Sequence, residues 1–234
     1  MLVSAISFDF GQTLAGLSSA LLVEKVASRG FSLEADRVEA SLGAGWDAYD
    51  RAVRAGVSGH PWRLFMSTVL TAAGCTRVDG DESLAELVEF LFEDQRRYNL
   101  WRAPIPGMIE LCESLRARDI PIGILTNSEG RAEQLVEELG WRELFGVVVD
   151  SGRIGIEKPD PRIFHALAAR LGVEPSRVAH VGDNFGADVE GALAAGMRAV
   201  WFRGRRDEAP EGVPVCATAD ELRAVLEAWL PPSQ

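Results

Sequence analysis

At 234 residues with 47% hydrophobic content, the chain can bury one generous core or two modest ones, which excludes a disordered polymer. Its formal net charge of −11 excludes the function classes that need a basic face, so neither nucleic acid nor an anionic membrane is an expected partner. No apolar run reaches bilayer length, and the first residues lack the basic region of a secretory signal, so a soluble cytoplasmic protein is expected. Cys75, Cys112 and Cys216 are odd in number and far apart, without metal-ligand spacing, and disulfides are not expected.

Residues 2–8 form an apolar run that predicts a buried strand, with Asp9, Gly11 and Thr13 in the turn beyond it. Open α/β sheets bind ligands outside the carboxyl ends of their strands, which would aim Asp9 into a crevice. From residue 17 to about 98 the pattern becomes helical, with apolar residues three and four apart at Leu21, Leu22, Val26 and Ala27, at Leu64, Phe65, Val69 and Leu70, and at Leu84, Leu87, Val88 and Leu91. Gly30, Gly43 with Gly45, residues 56–61 and residues 74–80 punctuate this stretch into about four helices with no convincing strand. An all-helical insert packed as a small bundle is expected.

Residues 101–107, with Pro104 and Pro106, read as a linker. Strands are then expected at 120–125, 146–149, 178–181 and 199–202. Helices are expected at 107–118, 129–139, 160–171, 187–195 and 218–229, several of them closed by glycine, with an exposed loop at 203–214. Regular βα alternation predicts an α/β, Rossmann-like doubly wound parallel sheet. The core is assigned to residues 1–16 and 100–234, and the helical insert to 17–99.

Three further strand ends carry polar residues. Thr126, Asn127 and Ser128 offer hydroxyls and free backbone amides that can hold phosphoryl oxygens, or they simply cap the next helix. Lys158 is one of only two lysines among 24 basic residues, and it stands in Glu157-Lys158-Pro159-Asp160-Pro161, where the prolines stiffen the backbone around a compact ammonium. Asp183 and Asp188 follow the fourth strand and can converge with Asp9. Three such acids repel unless a cation joins them, and an all-oxygen set without histidine or cysteine suits Mg²⁺ better than zinc. His165 and His180 read as packing residues and His60 as a loop residue.

These four signals, in one order on four successive strand ends, give the chain a resemblance to the haloacid dehalogenase-like hydrolase superfamily. The carriers are Asp9 to Thr13, Thr126, Lys158 in Lys-Pro-Asp-Pro-Arg-Ile-Phe, and Gly182, Asp183 and Asp188. The resemblance covers the whole chain, with residues 17–99 similar to the family's helical cap of the first type. It implies that Asp9 attacks phosphorus to form an aspartyl-phosphate that water then hydrolyses. Asp9, Asp183 and the Gly11 carbonyl would hold Mg²⁺, with Asp188 supporting the metal or its waters. Thr126, Asn127 and Lys158 would grip the phosphoryl group of a small phosphorylated substrate, and Thr13 would brace the loop. The resemblance leaves the oligomeric state open.

The departure is Gly11, where family phosphatases carry a second aspartate that protonates the leaving group. General acid–base catalysis contributes about 10² to 10⁴ in rate. Gln12 is no acid and cannot replace it. Three readings stay open: a Mg²⁺-dependent phosphatase that is slow or restricted to good leaving groups, a haloacid dehalogenase- or phosphonatase-type hydrolase, and a catalytically weak binding or regulatory protein. Substrate choice would fall to the insert, where Trp46, Tyr49, Trp62, Phe65, Arg51, Arg54 and Arg63 are available.

Overall fold

The computed structural model describes residues 2–55, 57, 61–95 and 97–232, and for Asp50, Val53 and Arg54 the backbone alone. His60 and the Arg54 side chain therefore lie outside the described residues. In chain order the elements are β1 (Ala5–Phe8), β2 (Ala15–Leu17), α1 (Ser19–Ala27), β3 (Phe31–Ser32), α2 (Ala35–Arg54), α3 (Trp62–Ala72), β4 (Thr76–Arg77), α4 (Leu84–Gln95) and β5 (Trp101–Pro104). They continue with α5 (Met108–Arg116), β6 (Ile122–Thr126), α6 (Ala132–Glu138), β7 (Val147–Asp150), α7 (Ser151–Ile154), α8 (Pro161–Leu171), a 3-10 turn at Pro175–Arg177 and β8 (Val178–Gly182). A π-helical turn (Phe185–Glu190) runs into α9 (Gly191–Ala194), followed by β9 (Arg198–Phe202), β10 (Val215–Cys216) and α10 (Ala219–Trp229). Two compact units result, Met1–Gly16 with Arg102–Gln234, and Leu17–Trp101.

The first unit is built on a six-stranded parallel sheet of order β10-β9-β8-β1-β6-β7. From β1 the chain runs outward through β6 and β7, then returns to the other side of β1 with β8 and runs outward again. The connections therefore diverge between β1 and β8, and this switch point is where an open α/β sheet leaves a crevice at its carboxyl edge. Asp9 follows β1 and Asp183 follows β8. On one face, Ala5, Leu125, Val149 and Val178 pack against Ile163, Phe164, Leu167 and Ala168 of α8 and against Val189 and Ala192. Gly123 admits α8 at close range, since a Cβ there would stand 3.2 Å from Leu167 Cδ1.

The second unit holds four helices among its described residues, and α2 departs from the sequence reading. Gly43 and Gly45 do not break it. A Cβ on Gly45 would meet Val69 Cγ2 at 2.5 Å, so this glycine is the point where α3 packs directly on the α2 backbone. Nor is the insert all-helical, because Phe31–Ser32 pairs antiparallel with Thr76–Arg77. Pairs of two residues are too short to leave a periodic signal. For the same reason β10 was not legible, and β5, which pairs with β2, lies in the proline-bearing stretch expected to be a linker.

The Asp150 side chain, 3% exposed at the end of β7, accepts hydrogen bonds from the backbone N–H groups of Gly130 (3.1 Å), Ala132 (2.9 Å) and Gly152 (2.9 Å). It joins the loop after β6 to the start of α7. Asp150→Ala strands three amides, and loss of about 2–4 kcal/mol is expected in urea unfolding, with Asp150→Asn in between.

Candidate active site

Four side chains from the segments that follow three strands, β1, β7 and β8, meet at the switch point. The Lys158 Nζ donates to Asp9 Oδ1 at 2.6 Å, to Asp188 Oδ1 at 2.5 Å and to the Leu125 carbonyl at 3.0 Å. An ammonium has three N–H donors, and all three are used. Asp9, Asp188 and Lys158 are buried, at 7%, 1% and 6% exposure. Asp9, Asp183 and Asp188 each offer a carboxylate oxygen, and these oxygens lie within 4.8 Å of one another.

Local structure explains each placement. The Asp9 N–H donates to the Val181 carbonyl, which ties the first residue beyond β1 to β8. The Lys158 backbone is clamped by Asn127, whose Nδ2 donates to the Lys158 carbonyl at 3.0 Å and whose Oδ1 accepts from the Lys158 N–H at 2.8 Å. Asn127 thus spends both ends of its amide on holding Lys158. Asp188 folds back from the π-helical turn, where its Oδ2 accepts the Asn184 N–H at 2.9 Å and its Oδ1 meets His180 Nε2 at 3.1 Å. The Asp183 loop is pinned from β9 by Trp201, whose Nε1–H donates to the Asp183 carbonyl at 2.8 Å. Thr126 is buried at the end of β6.

Electrostatics separates the three acids. Burial pushes the Asp9 carboxyl up to about 6, with Lys158 pulling it down and Asp188 adding to the rise. Burial and the neighbouring Asp9 and Asp188 carboxylates hold Asp183 well above the usual carboxylate range. Asp188 goes the other way, because the Lys158 charge and the His180 hydrogen bond outweigh its burial. Burial would lower Lys158, yet Asp188 and Asp9 together raise it, so the ammonium stays charged. With three carboxylates against one ammonium, full ionisation would leave two negative charges without compensation, and Asp183 has no ion-pair partner among the described residues. Hard oxygen donors with that deficit fit a divalent cation such as Mg²⁺.

The first loop differs in detail from its expected construction. The Thr13 hydroxyl is buried without a hydrogen-bond partner, so it does not brace the loop by hydrogen bonding. The backbone does, through Leu14 and Ala15 N–H donating to the Phe10 carbonyl and Gln12 N–H donating to the Ala15 carbonyl. Gly11 forms a bridge with Ala15. His180 was read as a packing residue, whereas it is hydrogen bonded to Asp188. The available signal was a histidine inside the otherwise apolar β8. His165 instead meets the Ala195 carbonyl at 3.2 Å.

The aromatic residues of the insert form packed clusters. Trp46 contacts Phe65, Tyr49 and Trp101 at ring-centroid distances of 4.3, 5.4 and 6.5 Å, and Trp62 packs on Phe92 at 5.6 Å. Arg63 stacks over Phe92 while pairing with Glu89.

A profile of the haloacid dehalogenase-like hydrolases matches residues 3–196. The chain belongs to that family. The chain is 38% identical over 169 residues to phosphoserine phosphatase of Thermus thermophilus, a match covering 71% of this chain and 64% of that protein, so it spans a little under two thirds of the relative. Its fold is similar to that of the putative HAD-hydrolase YfnB from Bacillus subtilis, described bound to magnesium, with a TM-score of 0.72 at 21% identity over 97% of this chain and 99% of the other. It is also similar to 2-haloacid dehalogenase from Pseudomonas syringae, with a TM-score of 0.60 at 25% identity over 97% and 100% of the two chains. Among the described residues no helix of the chain is long and apolar enough to cross a membrane.

Gly182 makes room for Asp188, since a Cβ there would stand 2.2 Å from Asp188 Cγ and 2.3 Å from its Oδ2. Gly182→Ala must therefore displace a carboxylate held by Lys158. A loss of about 3 kcal/mol is expected in urea unfolding, from overpacking and a broken buried pair.

Proposed function

We propose that this hydrolase is a Mg²⁺-dependent phosphatase of small phosphorylated molecules, acting through Asp9 and restricted to good leaving groups. The observation that carries the reading is the clustering of three carboxylates of which only two, Asp9 and Asp188, meet the Lys158 ammonium, with Asp183 left uncompensated. The phosphatase relative supports the same class. Asp9, Asp183 and the Gly11 carbonyl would hold the cation, with Asp188 supporting it. Bound Mg²⁺ supplies charge compensation and Lewis acidity for phosphoryl oxygens.

The chain's own residues then divide the work. An Asp9 carboxylate oxygen attacks phosphorus, the new Oδ–P bond forms, and the bond to the leaving oxygen breaks in line with it. Water hydrolyses the resulting aspartyl-phosphate to inorganic phosphate and free Asp9. Lys158 balances the charge gathered on the transferred group, Thr126 donates to its oxygens, and Asn127 acts by holding Lys158 in place. Gly11 offers no proton, so the leaving group departs as its anion. Aryl and acyl phosphates satisfy that requirement and simple alkyl phosphates do not.

Hydrolysis of p-nitrophenyl phosphate is expected to require Mg²⁺, to vanish in Asp9→Asn, and to exceed that of an alkyl phosphate. Gly11→Asp should raise alkyl phosphate turnover by about 10² or more. Equal wild-type rates on both substrates would remove the restriction. Chloride release from a 2-haloacid in the presence of chelator would replace the phosphatase with a dehalogenase. Absence of both activities would leave a binding or regulatory role.

The Asp9 carboxyl, at about 6, stands above its ordinary value and retains a proton at pH 5 that must leave before it can ligate or attack. Mg²⁺ affinity should therefore fall as pH drops from 7 to 5. Calorimetry in buffers of different ionisation enthalpy should register proton release at pH 6, and an affinity flat across this range would contradict the site.

A further inference from the structure

Beneath the site, Ser7 and His180 form a pair that takes no part in the steps above. They are register partners on the adjacent strands β1 and β8, so their side chains leave the sheet on the same face. Both are buried, at 0% and 1% exposure. The Ser7 Oγ lies 2.8 Å from His180 Nδ1, and the other ring nitrogen, Nε2, lies 3.1 Å from Asp188 Oδ1. An ionised carboxylate only accepts, so Nε2 carries a proton and donates it. Phe164 of α8 closes the remaining side, its ring edge-on to the imidazole at 5.2 Å and 90°.

The consequence lies at the far side of Asp188. The same Oδ1 that accepts from His180 accepts from Lys158 Nζ, and Nζ in turn contacts Asp9 Oδ1. A continuous line of contacts therefore runs from Ser7 through His180, Asp188 and Lys158 to the candidate nucleophile. Of the three donors on the Asp188 carboxylate, the Asn184 N–H belongs to the same turn and Lys158 is the group being aimed. His180 is the remaining anchor, and it comes from the rigid centre of the sheet. We propose that Ser7 and His180 are positioning residues that fix the Asp188 carboxylate and, through its Oδ1, the Lys158 ammonium that faces Asp9.

This assignment rests on the phosphatase reading for its kinetic consequence and on geometry alone for its structural one. Three variants separate the roles. His180→Leu removes both ring nitrogens while keeping apolar bulk. His180→Gln keeps an N–H donor at the reach of Nε2. Ser7→Ala frees the ring at Nδ1. In crystals of the metal-free proteins, the Asp188 carboxylate is expected to swing off Lys158 in His180→Leu and to stay in His180→Gln. Partners that orient metal ligands typically contribute about 10- to 100-fold in affinity or activity. By calorimetry, Mg²⁺ affinity should accordingly fall about 10-fold or more in His180→Leu, and less in Ser7→Ala. For p-nitrophenyl phosphate, kcat should fall with KM little changed, and His180→Gln should recover most of the loss.

The proposal is overturned if Asp188 and Lys158 keep their positions in His180→Leu, or if both His180 variants lose activity equally and in step with their thermal stability. A wild type that hydrolyses no phosphate ester sinks the phosphatase reading instead, and the crystallographic comparison still decides the positioning role.

Discussion

The site depends on one ammonium. Lys158 places a single positive charge among buried carboxylates and spends its three donors on Asp9, Asp188 and the Leu125 carbonyl. Without it, Asp9 and Asp188 would face one another across a few ångströms of low-dielectric interior, and such a pair does not ionise together. Much nearby structure serves that contact: Asn127 clamps the lysine backbone, Gly182 leaves space for the Asp188 carboxylate, and His180 meets Asp188 from below. One ammonium is nevertheless too little for three acids. Asp183, which has no ion-pair partner among the described residues and would need a cation to ionise beside the other two acids, is what links this arrangement to a divalent cation.

Topology turns those contacts into a crevice. Because the chain leaves β1 in one direction and β8 in the other, no crossover covers the carboxyl edge between them, and both strands deliver an aspartate there. β6 and the segment after β7 supply Thr126 and Lys158 from the adjoining positions. The packed face under the crevice, with Phe164 and Leu167 of α8 against the sheet, makes the strand ends rigid. Rigidity matters because electrostatic stabilisation is strongest when dipoles and charges need not reorganise during reaction.

Gly11 gives the reading its chemical character. Three clustered carboxylates that could hold a metal ion and the Lys158 ammonium are present, while position 11, where the resemblance implies a general acid in phosphatases, has no side chain. On the proposed reading, attack and charge compensation would be retained, and proton delivery to the leaving oxygen would not. Chemistry of that kind sorts substrates by leaving-group basicity before any pocket sorts them by shape.

The sequence by itself determined the alternation of strands and helices and the helical insert, because apolar periodicity and turn residues act over a few positions and leave local signatures, and it set Asp9, Thr126, Lys158, Asp183 and Asp188 in or just beyond the ends of strands. Only the tertiary structure decided that Gly45 continues a helix, that β2 pairs with β5, that Asn127 holds Lys158 and that the Thr13 hydroxyl is unpaired. It alone brought Ser7 opposite His180. Strand register is a long-range property set by how whole faces pack, and residues 173 positions apart share no local signal that would announce their contact.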